Sequence, residues 1–209
     1  MEWLNENAQA ISAISSVLTL FVWLFYAQLL YQGFARQRSP RVIINRGKGI
    51  GTDALCLVSN MSTESVYVQH VIAVLHVDDQ EYKVDIVEYQ QQSEDDEEDC
   101  YRTHQGPLAS GSHIHLQSFG SIVDQIKAYW EINAQTLERS DLSLEIRVIA
   151  IYGPEDLPIG AQRHFDLNLN ADPNRQLIPQ RIDTQRLASR RERKRVLEWA
   201  KDIELHKAN

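Results

Sequence analysis

The chain has 209 residues, 43% of them hydrophobic and 24% charged, which suits one ordinary domain with a packed core and excludes global disorder. A net charge of −8 excludes non-specific nucleic-acid binding across the whole surface, and no specific nucleic-acid partner is expected. Two cysteines, Cys56 and Cys100, are too few for a disulfide scaffold; they could pair, and a reducing compartment suits them equally well.

No side chain between Glu6 and Arg36 is charged, and Ile11 to Leu30 is apolar on every side. At 1.5 Å of rise per residue, about 20 such residues span a hydrocarbon core of roughly 30 Å. A cleaved signal peptide starts basic, has a shorter apolar region and ends in small residues. Here the start carries Glu2 and Glu6, and no such ending is present. A buried core helix of this length is rarely apolar all round. Residues 11–34 therefore predict a retained transmembrane helix, with Trp3, Tyr26 and Tyr31 at interfacial depth.

Lys and Arg stay on the cytoplasmic side, and Arg36, Arg38, Arg41, Arg46 and Lys48 all come after the apolar run. This predicts a single-pass inner-membrane protein with residues 1–10 outside and the rest in the cytoplasm. Ser12, Ser15, Ser16 and Thr19 share one helical stripe, which Ala8 extends. Small hydroxyl residues let helices approach closely, so this stripe is the expected self-association face. The alternative is that the hydroxyls bond back to carbonyls of their own helix.

Residues 35–52 read as a basic juxtamembrane linker, with Arg36, Arg38 and Arg41 placed for contact with lipid or a partner. Pro40 ends helical continuation. RGKGIG (46–51) resembles a phosphate loop in composition only, because strand residues rather than a helix come after it. It reads as an elbow between membrane and domain.

Residues 53–170 carry strand periodicity. RVIIN (41–45), DALCLVSN (53–60), SVYVQHVIAVLHV (65–77), EYKVDIVEY (81–89), GSHIHLQSF (111–119), LSLEIRVIAIY (142–152) and AQRHFDLNL (161–169) are the predicted strands. Phe119, Ile122, Ile126, Trp130, Ala134 and Leu137 recur at helical spacing and predict a helix over 119–138, capped by Ser118 or Ser121. The fold class is mainly β: an antiparallel β-sandwich with an inserted helix, preceded by the transmembrane helix and succeeded by a basic C-terminal helix. An α+β sheet with the helix on one face is the competing picture. The stretch LCLVSNMSTESVYVQHVIAVL resembles a pattern common in immunoglobulin-like domains of bacterial membrane proteins. That resemblance implies an immunoglobulin-like sandwich and no activity.

Few residues suggest chemistry. His113 and His115 share one strand face, and with Cys100 and His104 upstream a zinc site can be drawn. The spacing is not that of a common zinc module, and the plain alternative puts both histidines on the solvent face. Six consecutive carboxylates at 94–99, inside a loop over 90–100, repel one another and read as solvated. No nucleophile elbow or His-Glu-x-x-His motif occurs, so no catalytic residue, cofactor or enzymatic activity is expected, and a metalloenzyme is the weakest alternative.

Residues 171–209 read as a linker and a basic helix. Leu187, Val196, Trp199, Ala200 and Ile203 form a narrow apolar stripe, and Arg190, Arg191, Arg193, Lys194 and Arg195 form a cationic patch suited to anionic lipid or an acidic partner. The functional expectation is protein–protein interaction or self-assembly at the membrane, with the bilayer and a homo-oligomer or another membrane protein as partners. The alternative is a ligand-responsive effector that oligomerises and perturbs the bilayer.

Overall fold

The computed structural model describes residues 7–37, 39–49, 51–87, 103–133, 137, 141–169 and 176–207. They belong to two compact units, Met1–Ser39 and Pro40–Asn209. The first unit is helix α1 (Ala8–Gln37). Its residues from Ala8 to Phe34 are exposed on every side, and no one face of the helix gathers the polar residues. By length and composition α1 is able to cross a membrane.

The second unit contains β1 (Val42–Arg46), β2 (Leu55–Asn60), β3 (Val66–Val77), β4 (Gln80–Asp85), β5 (Gly106–Leu108) and β6 (His113–Ser118). Next come α2 (Phe119–Tyr129), β7 (Leu142–Tyr152), β8 (Ile159–Asn168), β9 (Gln176–Pro179), β10 (Gln185–Leu187) and α3 (Arg190–Lys207). A small sheet has the order β1-β2-β6 and a large one β10-β8-β7-β3-β4; β5 adds to the β3 edge and β9 to the β8 edge. All these pairings are antiparallel.

One core lies between the sheets. Val42, Ile44, Cys56 and Val58 of the small sheet meet Val68, Leu75, Leu144, Ile146 and Phe165 of the large one. Three strands are too few to cover the large sheet, and α2 fills the remaining space against β3 and β4. It buries Phe119, Ile122, Val123 and Ile126, with Phe119 against Phe165 at 4.8 Å between ring centroids. Ser118 is its N-cap, accepting from the Ser121 amide at 3.1 Å. The helix predicted to reach residue 138 stops at Tyr129. Glu131 turns left-handed (φ 50°), and Leu137 is buried in the same core on a separate segment.

The long strands β3 and β7 pair from Val66↔Tyr152 to Val77↔Leu142, with a bulge between Val68 and His70. Both are buried on both faces over their middle, although an antiparallel sheet usually leaves one face wet. The reason is α3. Val196 and Ile203 of α3 pack on Ile72, Val74 and Ile149, joined by Leu187 and flanked by Trp199 and Ala200. The apolar stripe expected on the C-terminal helix is therefore a second core on the back of the large sheet. Leu187, expected within that helix, lies in β10 instead. Ser189 and Glu192 form a reciprocal cap at the start of α3: the Glu192 amide donates to Ser189 Oγ at 3.3 Å, and Glu192 Oε2 accepts from the Ser189 amide at 2.9 Å.

The strand expected at 41–45 forms inside the stretch also read as juxtamembrane linker, and two short strands form where a linker and the start of the C-terminal helix are expected. Val42–Arg46 is a strand, and Gln176–Pro179 and Gln185–Leu187 are edge strands of the large sheet. Residues 47–49 and 51–54, read as part of an elbow, belong to the same compact unit as the strands on either side, and the Gly47 amide donates to the Leu55 carbonyl at 2.8 Å. Two polar residues tie the interior together. Arg163, on β8, donates to the Ile44 carbonyl at 2.7 Å and to Asn45 Oδ1 at 3.1 Å on β1, linking the sheets. Asn60 is fully buried; its amide nitrogen donates to the Glu64 and Leu108 carbonyls, both at 2.9 Å, and Oδ1 accepts from the Ser62 amide at 2.9 Å.

Candidate functional site

The back of the large sheet is where polar chemistry concentrates. Alternation along each strand places His76 of β3, Glu145 and Arg147 of β7, and His164 of β8 on this face, in a row that α3 does not cover completely. Register makes them neighbours: Glu145 pairs directly with His164, and Ser143, next on the same face, pairs with His76. Glu145 is buried, with its side chain 3% exposed. Its Oε2 lies 3.5 Å from His76 Nε2, 3.4 Å from His164 Nε2 and 2.6 Å from Arg147 Nη2. Burial pushes the Glu145 carboxyl up, but the hydrogen bonds and charges of His164 and Arg147 outweigh it and hold the group down at about 2. Arg147 in turn stacks on the Trp199 ring of α3 at 4.6 Å. The carboxylate therefore connects the sheet to the docked helix.

A second buried pair sits further along the same face. His70 Nδ1 is 2.8 Å from Asp85 Oδ2, and His70 Nε2 faces Glu204 of α3 at 3.5 Å. At the first turn of α3, Arg193 makes a two-pronged ion pair with Glu155, at 2.5 and 2.9 Å. The Arg193 hydrogen bond holds Glu155 below the usual carboxylate range, and the same bond raises Arg193.

The residues expected to bind lipid or a partner divide accordingly. Arg190, Arg191, Lys194 and Arg195 are on the outer side of α3, whereas Arg193 is committed to Glu155. Arg41 is exposed and reaches Asp183 at 3.5 Å. Arg36 lies in the last turn of α1, and Arg38 falls outside the described residues. On α1, Ser16 Oγ donates to the Ser12 carbonyl at 2.9 Å and Thr19 Oγ1 to the Ser15 carbonyl at 2.8 Å. Those hydroxyls satisfy themselves within the helix, and Ser12, Ser15, Ser16 and Thr19 line one shallow groove with Ala8 and Ile11.

Of the zinc set drawn from the sequence, Cys100 falls outside the described residues, and among the described residues His104 does not join His113 and His115. His113 and His115 lie side by side, exposed, with their Nε2 atoms 3.1 Å apart. Ile114 and Leu116 pack toward the core instead. Among the described residues no third His, Cys or carboxylate joins that pair. His104 is half-buried, and burial lowers it from its ordinary value. Cys100 and the acidic run 94–99 fall outside the described residues. Cys56 is a free, buried thiol that burial pushes up to about 12 against the opposing pull of Arg163, so it is an inert core residue rather than a nucleophile.

The site that sequence reading missed is His76–Glu145–His164. Its signal was a glutamate amid the aliphatics of LSLEIRVIAIY, between two strands that each carried a histidine. No protein-family model, curated protein or solved structure matches the chain.

Proposed function

We propose that this protein is a single-pass membrane protein whose β-rich domain works at the cytoplasmic face as an interaction module, binding a membrane partner or a second copy of itself. The observation that carries the reading is α1: an uncharged span exposed on all sides, with Arg36, Arg38 and Arg41 close behind it. Water is a poor solvent for such a surface, and hydrocarbon is a good one. The basic flank favours the cytoplasmic leaflet for the domain beyond it.

Arg190, Arg191, Lys194 and Arg195 supply a cationic face for anionic lipid or an acidic partner, because the apolar side of α3 is already occupied by the sheet. The immunoglobulin-like character of the domain belongs to this proposal; two antiparallel sheets over one core support it. No catalytic role is assigned. The test is a pair of reporter fusions at residue 209, one active only in the cytoplasm and one only outside it, combined with alkaline extraction of membranes. Cytoplasmic signal and an extraction-resistant chain are the expected results. An external signal, or release of the chain by alkali, overturns the reading.

A further inference from the structure

We propose that His76, Glu145 and His164 form a binding site for a divalent transition-metal ion of the zinc type, on the back of the large sheet beside α3. This site is independent of how the chain is placed at a membrane.

Three ligand atoms of the right kind converge there: Nε2 of His76, Oε2 of Glu145 and Nε2 of His164, all within 4.8 Å of one another. Zinc bonds imidazole nitrogen and carboxylate oxygen at about 2.0–2.2 Å, and a tetrahedron with such bonds has edges of about 3.3–3.6 Å. The two nitrogen–oxygen separations are 3.5 and 3.4 Å, the edges such an ion needs. Two imidazoles and one carboxylate are also the donor set that borderline metals prefer, whereas calcium and magnesium take oxygen.

A second, independent observation points the same way. Nε2 of His76 is buried and has no hydrogen-bond partner among the described residues, an arrangement that costs free energy unless something fills it. Its other nitrogen, Nδ1, faces Glu81 Oε1 at 3.7 Å. A carboxylate on that side favours the proton on Nδ1 and turns the Nε2 lone pair toward the cluster, as outer carboxylates do for metal-bound histidines.

The charges around the site are mixed. Arg147 holds Glu145 Oε2 at 2.6 Å, and Lys83 pairs with Glu81 at 3.4 Å. An incoming cation therefore competes for one carboxylate oxygen with Arg147, the side chain that also stacks on Trp199 of α3. Metal binding is thus coupled to the helix: an ion at Glu145 loosens the Arg147 contact next to α3. Three protein ligands leave further coordination positions open. The His164 side chain, 35% exposed, gives water access, which is the pattern of an open rather than a closed zinc site.

The test uses the full chain in detergent, stripped with a chelator and titrated with zinc by calorimetry, with cobalt as a spectroscopic substitute. The expected result is one ion per chain and a cobalt spectrum of low-coordinate nitrogen–oxygen type. His76→Gln with His164→Gln should lower affinity at least about 100-fold while thermal unfolding stays cooperative. Because Glu145 is buried and its loss could unfold the domain, the histidine pair carries the test. His113→Gln with His115→Gln is the control and should leave binding unchanged. No stoichiometric binding, binding that survives the His76/His164 change, or binding lost with His113/His115 would each overturn the proposal.

Discussion

Gly160 of β8 lies directly beneath Val196 of α3, so close that a β-carbon at position 160 would run into the Val196 methyl group. Glycine inside a strand marks the close approach of another segment, and here that segment is the C-terminal helix. The contact explains how a helix with a strongly basic sequence can seat on a sheet: its one narrow apolar ridge fits where the sheet has no side chain. Gly160→Ala should destabilise the domain by about 1–3 kcal/mol through overpacking. Val196→Ala alone should cost about 2 kcal/mol as a lost buried side chain. Combined, the two changes should cost at least about 1 kcal/mol less than their sum in urea unfolding. Strict additivity would mean that the two residues do not meet.

The Glu145 carboxyl ties part of the domain's stability to pH. Folding lowers it from an ordinary value of 4.5 to about 2. A carboxyl depressed in the folded state adds stability that is present above the unfolded value and lost as pH falls through the folded one. The window is therefore pH 4.5 down to about 2, and the loss is on the order of 3 kcal/mol at about 1.4 kcal/mol per unit. Glu145→Gln should be less stable than the parent at pH 7, and the difference should shrink across that window. A constant difference from pH 7 to pH 2 would refute the assignment.

Asn60 satisfies three backbone groups at once from a fully buried position. Asn60→Ala should cost about 3 kcal/mol or more, because buried partners left unpaired cost about 1–3 kcal/mol each. Asn60→Asp should be comparably harmful, since a carboxylate keeps the acceptor and loses both donors. Thermal unfolding of both variants checks this. A loss below about 1 kcal/mol would show that water replaces the side chain.

On α1, replacement of Ser12, Ser16 and Thr19 by Leu should shift a detergent-solubilised oligomer toward monomer. Small residues permit close helix approach, and leucine fills the groove that Ala8 and Ile11 share with them. Light scattering of the purified chain reads the mass. An unchanged mass would leave the stripe facing lipid, consistent with hydroxyls that already bond to their own helix.

The outer side of α3 should bind acidic surfaces. For a fragment of residues 40–209, one compact unit, neutralising Arg190 and Arg191 should weaken binding to anionic vesicles about 30-fold, at about 1 kcal/mol per cation. Replacing Arg193 should instead lower stability, because that side chain holds Glu155. If Arg190 and Arg191 change nothing on vesicles, the patch serves an acidic protein partner.

Much of the architecture is legible along the chain. Seven strands match its alternation, and α2 begins where Ser118 and the Phe119, Ile122, Ile126 spacing put it. Gly106–Leu108, Gln176–Pro179 and Gln185–Leu187 are not legible. Each is too short to show a period, and two of them contain proline, which edge positions tolerate and local reading takes for loop. The candidate site is illegible for a different reason. His113 and His115 stand out because they are close in sequence, whereas His76, Glu145 and His164 are brought together by strand pairing alone.

By itself the sequence determined the uncharged helix of membrane-spanning length, its one-sided basic flank and the mainly β character of the remaining chain. Those properties depend on composition and short-range periodicity, which no distant residue can alter. Only the tertiary structure decided that the basic tail docks through Val196 and Ile203 on the back of a sheet, and that a buried glutamate lies between two histidines. Register and docking are choices among long-range pairings. They are settled by which apolar faces can be covered at once, and that is a property of the whole chain.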